Sequence, residues 1–281
     1  MIYVRYAPCP PLDRYISYFY YLEGQMPYPR ERILPFAVLD LKINLGDAFS
    51  IDSDDVTGCP RSLTESWLVG LHNRHHTIAW PTGMRVYGVR FKPGGAYPFL
   101  GLPVSELYNQ VVDLDAVWHR FASEIRERLY SAPSIEAGFV LFERLTRNRL
   151  GEAPPEQKIV EYSFAEIERH RGTVSIRALS QRIGISQNHL LTQFKRFVGT
   201  SAKEAARLFR FEHVLRSIDP TQSIDWAWIA QQHGYYDQAH LNKDFVKFTG
   251  HSPTGYLHLR RRVYTDDALV DRLSLRNLPT D

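Results

Sequence analysis

The sequence predicts an α+β chain in which an antiparallel β-sandwich or small barrel, closed by helices, precedes an all-helical domain. Three observations carry this. Up to about residue 112 the chain holds short β-branched and aromatic segments separated by Gly, Pro, Asp and Asn. From Asp115 the apolar period becomes helical. Beyond residue 156 one pattern occurs twice, 51 residues apart.

The strand segments are Tyr15 to Leu22, Ala37 to Leu45, Ser66 to Leu71 and Arg85 to Phe91. In the last, Val86, Gly88 and Arg90 alternate with Tyr87, Val89 and Phe91, so only one face carries large apolar groups. This predicts a half-buried strand whose Tyr87 and Phe91 face suits the lining of a ligand pocket as well as the filling of a core. Many short strands without intervening helices favour antiparallel over parallel pairing. Val117, Phe121, Ile125 and Leu129, then Phe139, Leu141, Phe142 and Leu145, predict two closing helices. The boundaries expected are a β-rich domain at 1–150, a linker at 151–158, a helical domain at 159–262 and a tail at 263–281.

The chain has 281 residues, a formal charge of +3 and 44 % apolar residues, enough material for two cores. Residues 156–262 hold 16 Lys and Arg against 10 Asp and Glu. Positive charge concentrated in one part attracts a polyanion before any specific contact forms. No run of about 18 apolar residues and no signal-peptide pattern is present, and Cys9 and Cys59 fit no metal-ligand or disulfide spacing. A cytoplasmic protein without membrane contact is expected.

The repeat aligns Gln181, Gln187, His189, Leu190, Phe194, Phe197, Gly199 and Ser201 with Gln232, Gln238, His240, Leu241, Phe245, Phe248, Gly250 and Ser252. Those are eight identities in 21 positions, so one supersecondary unit occurs twice. In the first copy Ile176, Leu179 and Ile183 form an apolar stripe, Gly184 permits a turn, Ser186 caps a second helix and Gly199 stops it. The second copy uses Ile224, Trp228, Ile229, Gly234, Asp237 as cap, and Gly250. Two helices joined by a tight Gly-containing turn is the layout of helix-turn-helix DNA readers. Between the copies, Ala202 to Ile218 lacks Gly and Pro and places Ala205, Leu208, Phe211 and Leu215 on one face, which predicts a rod of about 24 Å.

On these residues the chain resembles the AraC/XylS-type transcription regulators. The likeness covers about residues 159–262. Its most specific stretch is Ile229-Ala-Gln-Gln-His-Gly-Tyr-Tyr-Asp-Gln-Ala-His-Leu241, continuing to Phe245, Gly250-His-Ser-Pro253 and Tyr256. A shorter stretch, Gly88-Val-Arg-Phe-Lys-Pro-Gly-Gly95 with Phe99-Leu-Gly101, looks like the cupin-like effector domain ahead of some of these units. The resemblance implies two helix-turn-helix units that enter successive major grooves of double-stranded DNA. It also admits a small-molecule effector, a homodimer, and RNA polymerase as partner of an activator.

Base-reading positions are then the surface residues between the buried anchors of each second helix: Asn188, Leu191, Thr192 and Lys195 in the first unit, Gln238, Ala239, Asn242 and Lys243 in the second. Asn and Gln pair with adenine, Thr and Leu meet the thymine methyl, and Lys reaches guanine or phosphate. Leu191 and Thr192 depart from the longer polar groups expected there. His189 and His240 repeat identically although half-sites should differ, so packing or structural roles are assigned to them. Arg182, Arg196, Arg207, Arg210, Lys247, Arg260, Arg261 and Arg262 are candidates for phosphate contacts.

Other chemistry is weaker. His72, His75, His76 and His119 suggest a metal site in a barrel, but adjacent His75 and His76 point to opposite faces of any strand, and a surface loop is expected instead. No nucleophile elbow, His-Glu-x-x-His, phosphate loop or paired-cysteine pattern occurs, so neither an enzyme nor a cofactor is expected. Two alternatives remain at this stage: a cupin-like metalloenzyme with a helical appendage, and a helical partner-binding module.

Overall fold

A computed structural model describes residues 1–52, 60–263 and 277–280; Cys59 lies outside them. The strands described are β1 (Ile2–Tyr6), β2 (Ile16–Gly24), β3 (Arg30–Ile33), β4 (Asp40–Asn44), β5 (Phe49–Ile51), β6 (Arg61–Leu63), β7 (Ser66–Val69), β8 (His76–Ala79), β9 (Met84–Phe91), β10 (Val111–Asp113) and β11 (Leu278–Thr280). They form a six-stranded sheet in the order β1-β2-β9-β4-β7-β10 and a five-stranded sheet in the order β11-β3-β8-β5-β6. Every pairing is antiparallel, as the alternating short segments require.

The helices are α1 (Tyr97–Leu100), α2 (Asp115–Trp118), α3 (Arg120–Tyr130), α4 (Ile135–Asn148), α5 (Gln157–Arg169), α6 (Ile176–Ile183), α7 (Gln187–Val198), α8 (Ala202–Ser217), α9 (Trp226–Gln232), α10 (Gln238–Thr249) and α11 (Pro253–Val263). With its sandwich-like sheets and helical second part, the chain is α+β. No helix among the described residues is long and apolar enough to cross a membrane.

The centre of the larger sheet explains the β-domain. The Tyr87 ring packs against Phe139 and Phe142 of α4 at 5.5 and 6.2 Å, and Phe91 meets Phe99 of α1 at 5.4 Å. One face of β9 therefore builds the core under the closing helices. The other face is buried as well, because the second sheet covers it: Val86 and Arg90 line a cavity between the sheets. The expected half-buried strand is thus buried on both sides, and the pocket side is corrected. Tyr87 and Phe91 line no part of the cavity; they fill the core behind it. At Gly88 the ring of Tyr20 crosses the strand so closely that a Cβ would lie 2.0 Å from Tyr20 Cζ. Only glycine admits that crossing.

His76 opens β8 and does not lie in a surface loop, and residues 278–280 do not hang free as a tail. β11 pairs with β3, matching Leu278 to Arg32 and Thr280 to Arg30, and the Asn277 side chain accepts the Leu34 amide at 2.9 Å. Buried Leu278 joins the core of the helical part, as do Leu34, Ala37 and Leu71 of the β-domain. The two parts are therefore packed together through apolar contacts.

Candidate nucleic-acid interface and inter-sheet cavity

Both repeat copies fold as helix, turn and helix, and the local chemistry is the same in each. Ser186 Oγ accepts the His189 amide at 3.1 Å, and Asp237 Oδ1 accepts the His240 amide at 2.7 Å, so each second helix begins on a side-chain cap. Each ends at a left-handed glycine, Gly199 at φ 94° and Gly250 at φ 76°. Leu190, Phe194 and Phe197 in α7, and Leu241, Phe245 and Phe248 in α10, are fully buried. In the first unit Phe194 stacks on Phe164 at 5.4 Å; in the second Phe245 and Phe248 pack on Phe211 of α8 at 5.0 and 4.9 Å.

With the anchors inward, the opposite faces of α7 and α10 turn to solvent. Asn188, Leu191, Thr192 and Lys195 are exposed on α7, and Gln238, Ala239 and Lys243 on α10. Asn242 is half-buried, and its Oδ1 has no hydrogen-bond partner among the described residues. Thr192 donates its hydroxyl to the Asn188 carbonyl at 3.0 Å. His240 packs against Tyr235 at 5.0 Å, whereas His189 is exposed, with a Gln193 amide 3.4 Å from its ring. Between the units α8 runs 16 residues from its Ser201 cap, about 24 Å at 1.5 Å per residue.

The cations read as phosphate contacts fare differently. Arg207 is corrected, because its guanidinium donates to the fully buried Asp244 at 2.6 and 2.8 Å. Arg260 is corrected too: it is buried and donates to the Asn277 carbonyl at 3.3 Å. Several others have protein partners. Arg182 pairs with Glu166, Lys247 with Glu204 at 2.6 Å, and Arg196 donates to Tyr97 Oη at 2.8 Å. Arg210 lies over the Tyr235 ring at 4.3 Å, and Arg261 donates to the carbonyls of Pro220 and Gln222 at 2.8 and 2.7 Å. Arg262 is exposed. Charge counting could not separate these roles, since the partners come from distant segments.

The sheets enclose a cavity of about 160 Å³. Leu22, Phe49, Trp67, Ile78, Trp80 and Val86 supply apolar wall, and Asp40, Lys42, Arg90, His72, His76 and Glu31 make it polar. Asp40 is the hub. It accepts Arg90 Nη2 at 2.6 Å and the Tyr20 hydroxyl at 2.8 Å, with Lys42 Nζ at 3.5 Å. Burial opposes its charge, but Lys42, Arg90 and these hydrogen bonds outweigh burial and hold the carboxyl below its ordinary range. Burial also lowers Lys42 against the pull of Asp40, and keeps His76, beside His72 and Lys42, well below the usual histidine value and neutral. Glu31 is pushed up to about 8 by burial, against the Tyr28 hydroxyl at 2.8 Å and nearby Asn277 and Arg260, and so stays mostly protonated at pH 7. His119, at the junction of α2 and α3, lies outside the cavity lining.

Residues 179–259, which contain both second helices and α8, match the helix-turn-helix domain family. This is an AraC-type helix-turn-helix domain. It makes the chain a DNA-binding transcription regulator. Ahead of the AraC-type domain, residues 4–113 match a domain of unknown function, DUF6597. No curated protein sequence matches the chain. Among solved structures, an apo variant of ToxT from Vibrio cholerae is 10 % identical, with 86 % of this chain and 96 % of that chain covered at a TM-score of 0.45. ToxT from the same organism bound to an unsaturated fatty acid is 13 % identical, covering 88 % and 96 % at 0.42. The AraC-like transcriptional activator CuxR is 12 % identical, covering 63 % and 66 % at 0.22. At these TM-scores the likenesses add nothing about function.

Proposed function

We propose that the regulator reads two unlike half-sites about one helical turn apart, α7 in one major groove and α10 in the next. The observation that carries this is the pair of capped helices with exposed, dissimilar outer faces in one chain, joined through the 16-residue α8. Successive grooves lie about 34 Å apart, the spacing the two outer faces have to match. Asn188, Leu191, Thr192 and Lys195 face the first half-site, and Gln238, Ala239, Asn242 and Lys243 the second. Arg182, Arg210, Arg261 and Arg262 serve the phosphates, those with protein partners by exchanging them, whereas Arg196 and Lys247 stay with Tyr97 and Glu204.

Residues 1–150 act as the sensing or dimerisation domain and 159–262 as the DNA-binding domain of a cytoplasmic, non-catalytic protein. The cavity supports an effector. Lys42 and Arg90 against one ionised Asp40 leave a net positive polar end beside apolar walls, which suits a compact ligand with an apolar body and an anionic or acceptor group. RNA polymerase is a partner if the protein activates transcription, and a homodimer is a further assembly of this reading.

Gln238, the first residue of α10, sits where a groove-inserted helix meets base edges. Gln238→Ala should lose about 1 to 3 kcal/mol on the preferred duplex and much less on random DNA, measured by fluorescence anisotropy at fixed salt. Equal losses on both duplexes would contradict a reading role.

A further inference from the structure

The two units repeat in their anchors but not in what holds each second helix in place. Asp244 lies midway along α10 with its carboxylate fully buried. Its Oδ1 takes Arg207 Nε and Nη2 from α8 at 2.8 and 2.6 Å, and its Oδ2 takes the Tyr235 hydroxyl at 3.0 Å. One turn further along α10, Lys247 reaches Glu204 of α8 at 2.6 Å. Two ion pairs separated along the axis fix both the rotation and the slide of α10 on α8, and a buried charge strongly resists leaving its partner.

Shifted back by 51 residues, Asp244 becomes Gln193, Tyr235 becomes Gly184 and Lys247 becomes Arg196. The first unit therefore lacks the whole device. Gln193 is buried, and its Oε1 has no partner among the described residues. Arg196 turns away from α8 to Tyr97 of the β-domain, donating to its hydroxyl at 2.8 and 3.2 Å. The Tyr97 ring meets Phe197 edge-on at 4.7 Å, and the Gly199 cap lies so near the Val104 carbonyl that a Cβ would come within 2.9 Å. The β-domain meets α10 at its C-terminal end, where Arg32 donates to the Thr249 carbonyl at 3.0 Å and meets His251.

We propose that α10 takes its orientation from α8 through Asp244, whereas α7 takes its orientation from the β-domain through Tyr97. The inference rests on the reading of α7 and α10 as the two groove-entering helices. Tyr97 and Asp244 are positioning residues, since neither belongs to a reading face. Arg196 thus gives to the β-domain what Lys247, its equivalent, gives to α8, so a change at Tyr97 reaches the first half-site before the second.

The test uses the full chain and a duplex carrying both half-sites, with a base-pair mismatch placed in either. The half-site whose mismatch penalty is abolished by Gln238→Ala belongs to α10. Wild type should lose about tenfold in affinity for a mismatch in either half-site. Tyr97→Phe, which deletes one hydroxyl, should reduce the penalty at the first half-site to about threefold or less and leave the second intact. Asp244→Asn should do the reverse, and Tyr235→Phe stands in for it if that variant does not fold. Thermal unfolding of each variant separates a general loss of fold from a change confined to one half-site. Equal changes at both half-sites, or no change with both wild-type penalties present, would overturn the inference alone. Absence of either penalty in wild type would overturn the two-head reading and the inference with it.

Discussion

Asp40→Ala should lower the free energy of unfolding by about 3 to 5 kcal/mol, the usual loss when one partner of a buried ion pair is removed. Asp40 is the only acidic partner that the structure gives Arg90 and Lys42 among the described residues, and both cations are largely enclosed. Removing the carboxylate leaves two like charges facing each other beside the cavity and takes the acceptor from the Tyr20 hydroxyl. The sign of the pH effect follows from the lowered carboxyl. A group held below its unfolded value contributes stability that is present above the unfolded value, near 3.9, and is lost as pH falls through the folded one. Asp40→Asn should therefore flatten the acid limb of the stability profile below about pH 4. Urea unfolding between pH 2.5 and 7 checks both variants; a loss below about 1 kcal/mol for Asp40→Ala would show that the cations find other partners.

A second large effect is expected from occupation of the cavity. A ligand at one hundred times its dissociation constant should raise the unfolding free energy of the full chain by about 2.7 kcal/mol. Differential scanning fluorimetry against a broad metabolite panel, weighted toward small anions with apolar bodies, measures it. If no compound shifts the transition while sedimentation shows a dimer, the β-domain is an oligomerisation module and the effector is abandoned.

What was legible in the sequence was local. The caps Ser186 and Asp237, the stop at Gly199 and Gly250, and the inward anchors follow from helical period and chain-neighbour hydrogen bonds, and the structure has them all. The cavity was not legible in the same way. Alternation in β9 separates two faces but does not say which one meets a second sheet, so pocket lining and core filling by Tyr87 and Phe91 were equally legible; they fill the core. That second sheet is built from segments without a clean strand signal, such as Arg30-Glu31-Arg32-Ile33 and the His76 strand. Its charged residues are there because β3 divides them, with Glu31 lining the cavity and Arg32 reaching α10. The roles of Arg207 and Arg260 depended on Asp244 and Asn277, contacts 37 and 17 residues away that composition does not encode.

Selection of bound duplexes from a random DNA pool by the full chain tests the central claim most directly. Two short, unlike half-sites centred about 10 base pairs apart should be enriched, the second losing its base preference in Gln238→Ala. Enrichment of a single palindromic core bound by one chain, or no enrichment over the starting pool, would contradict the account.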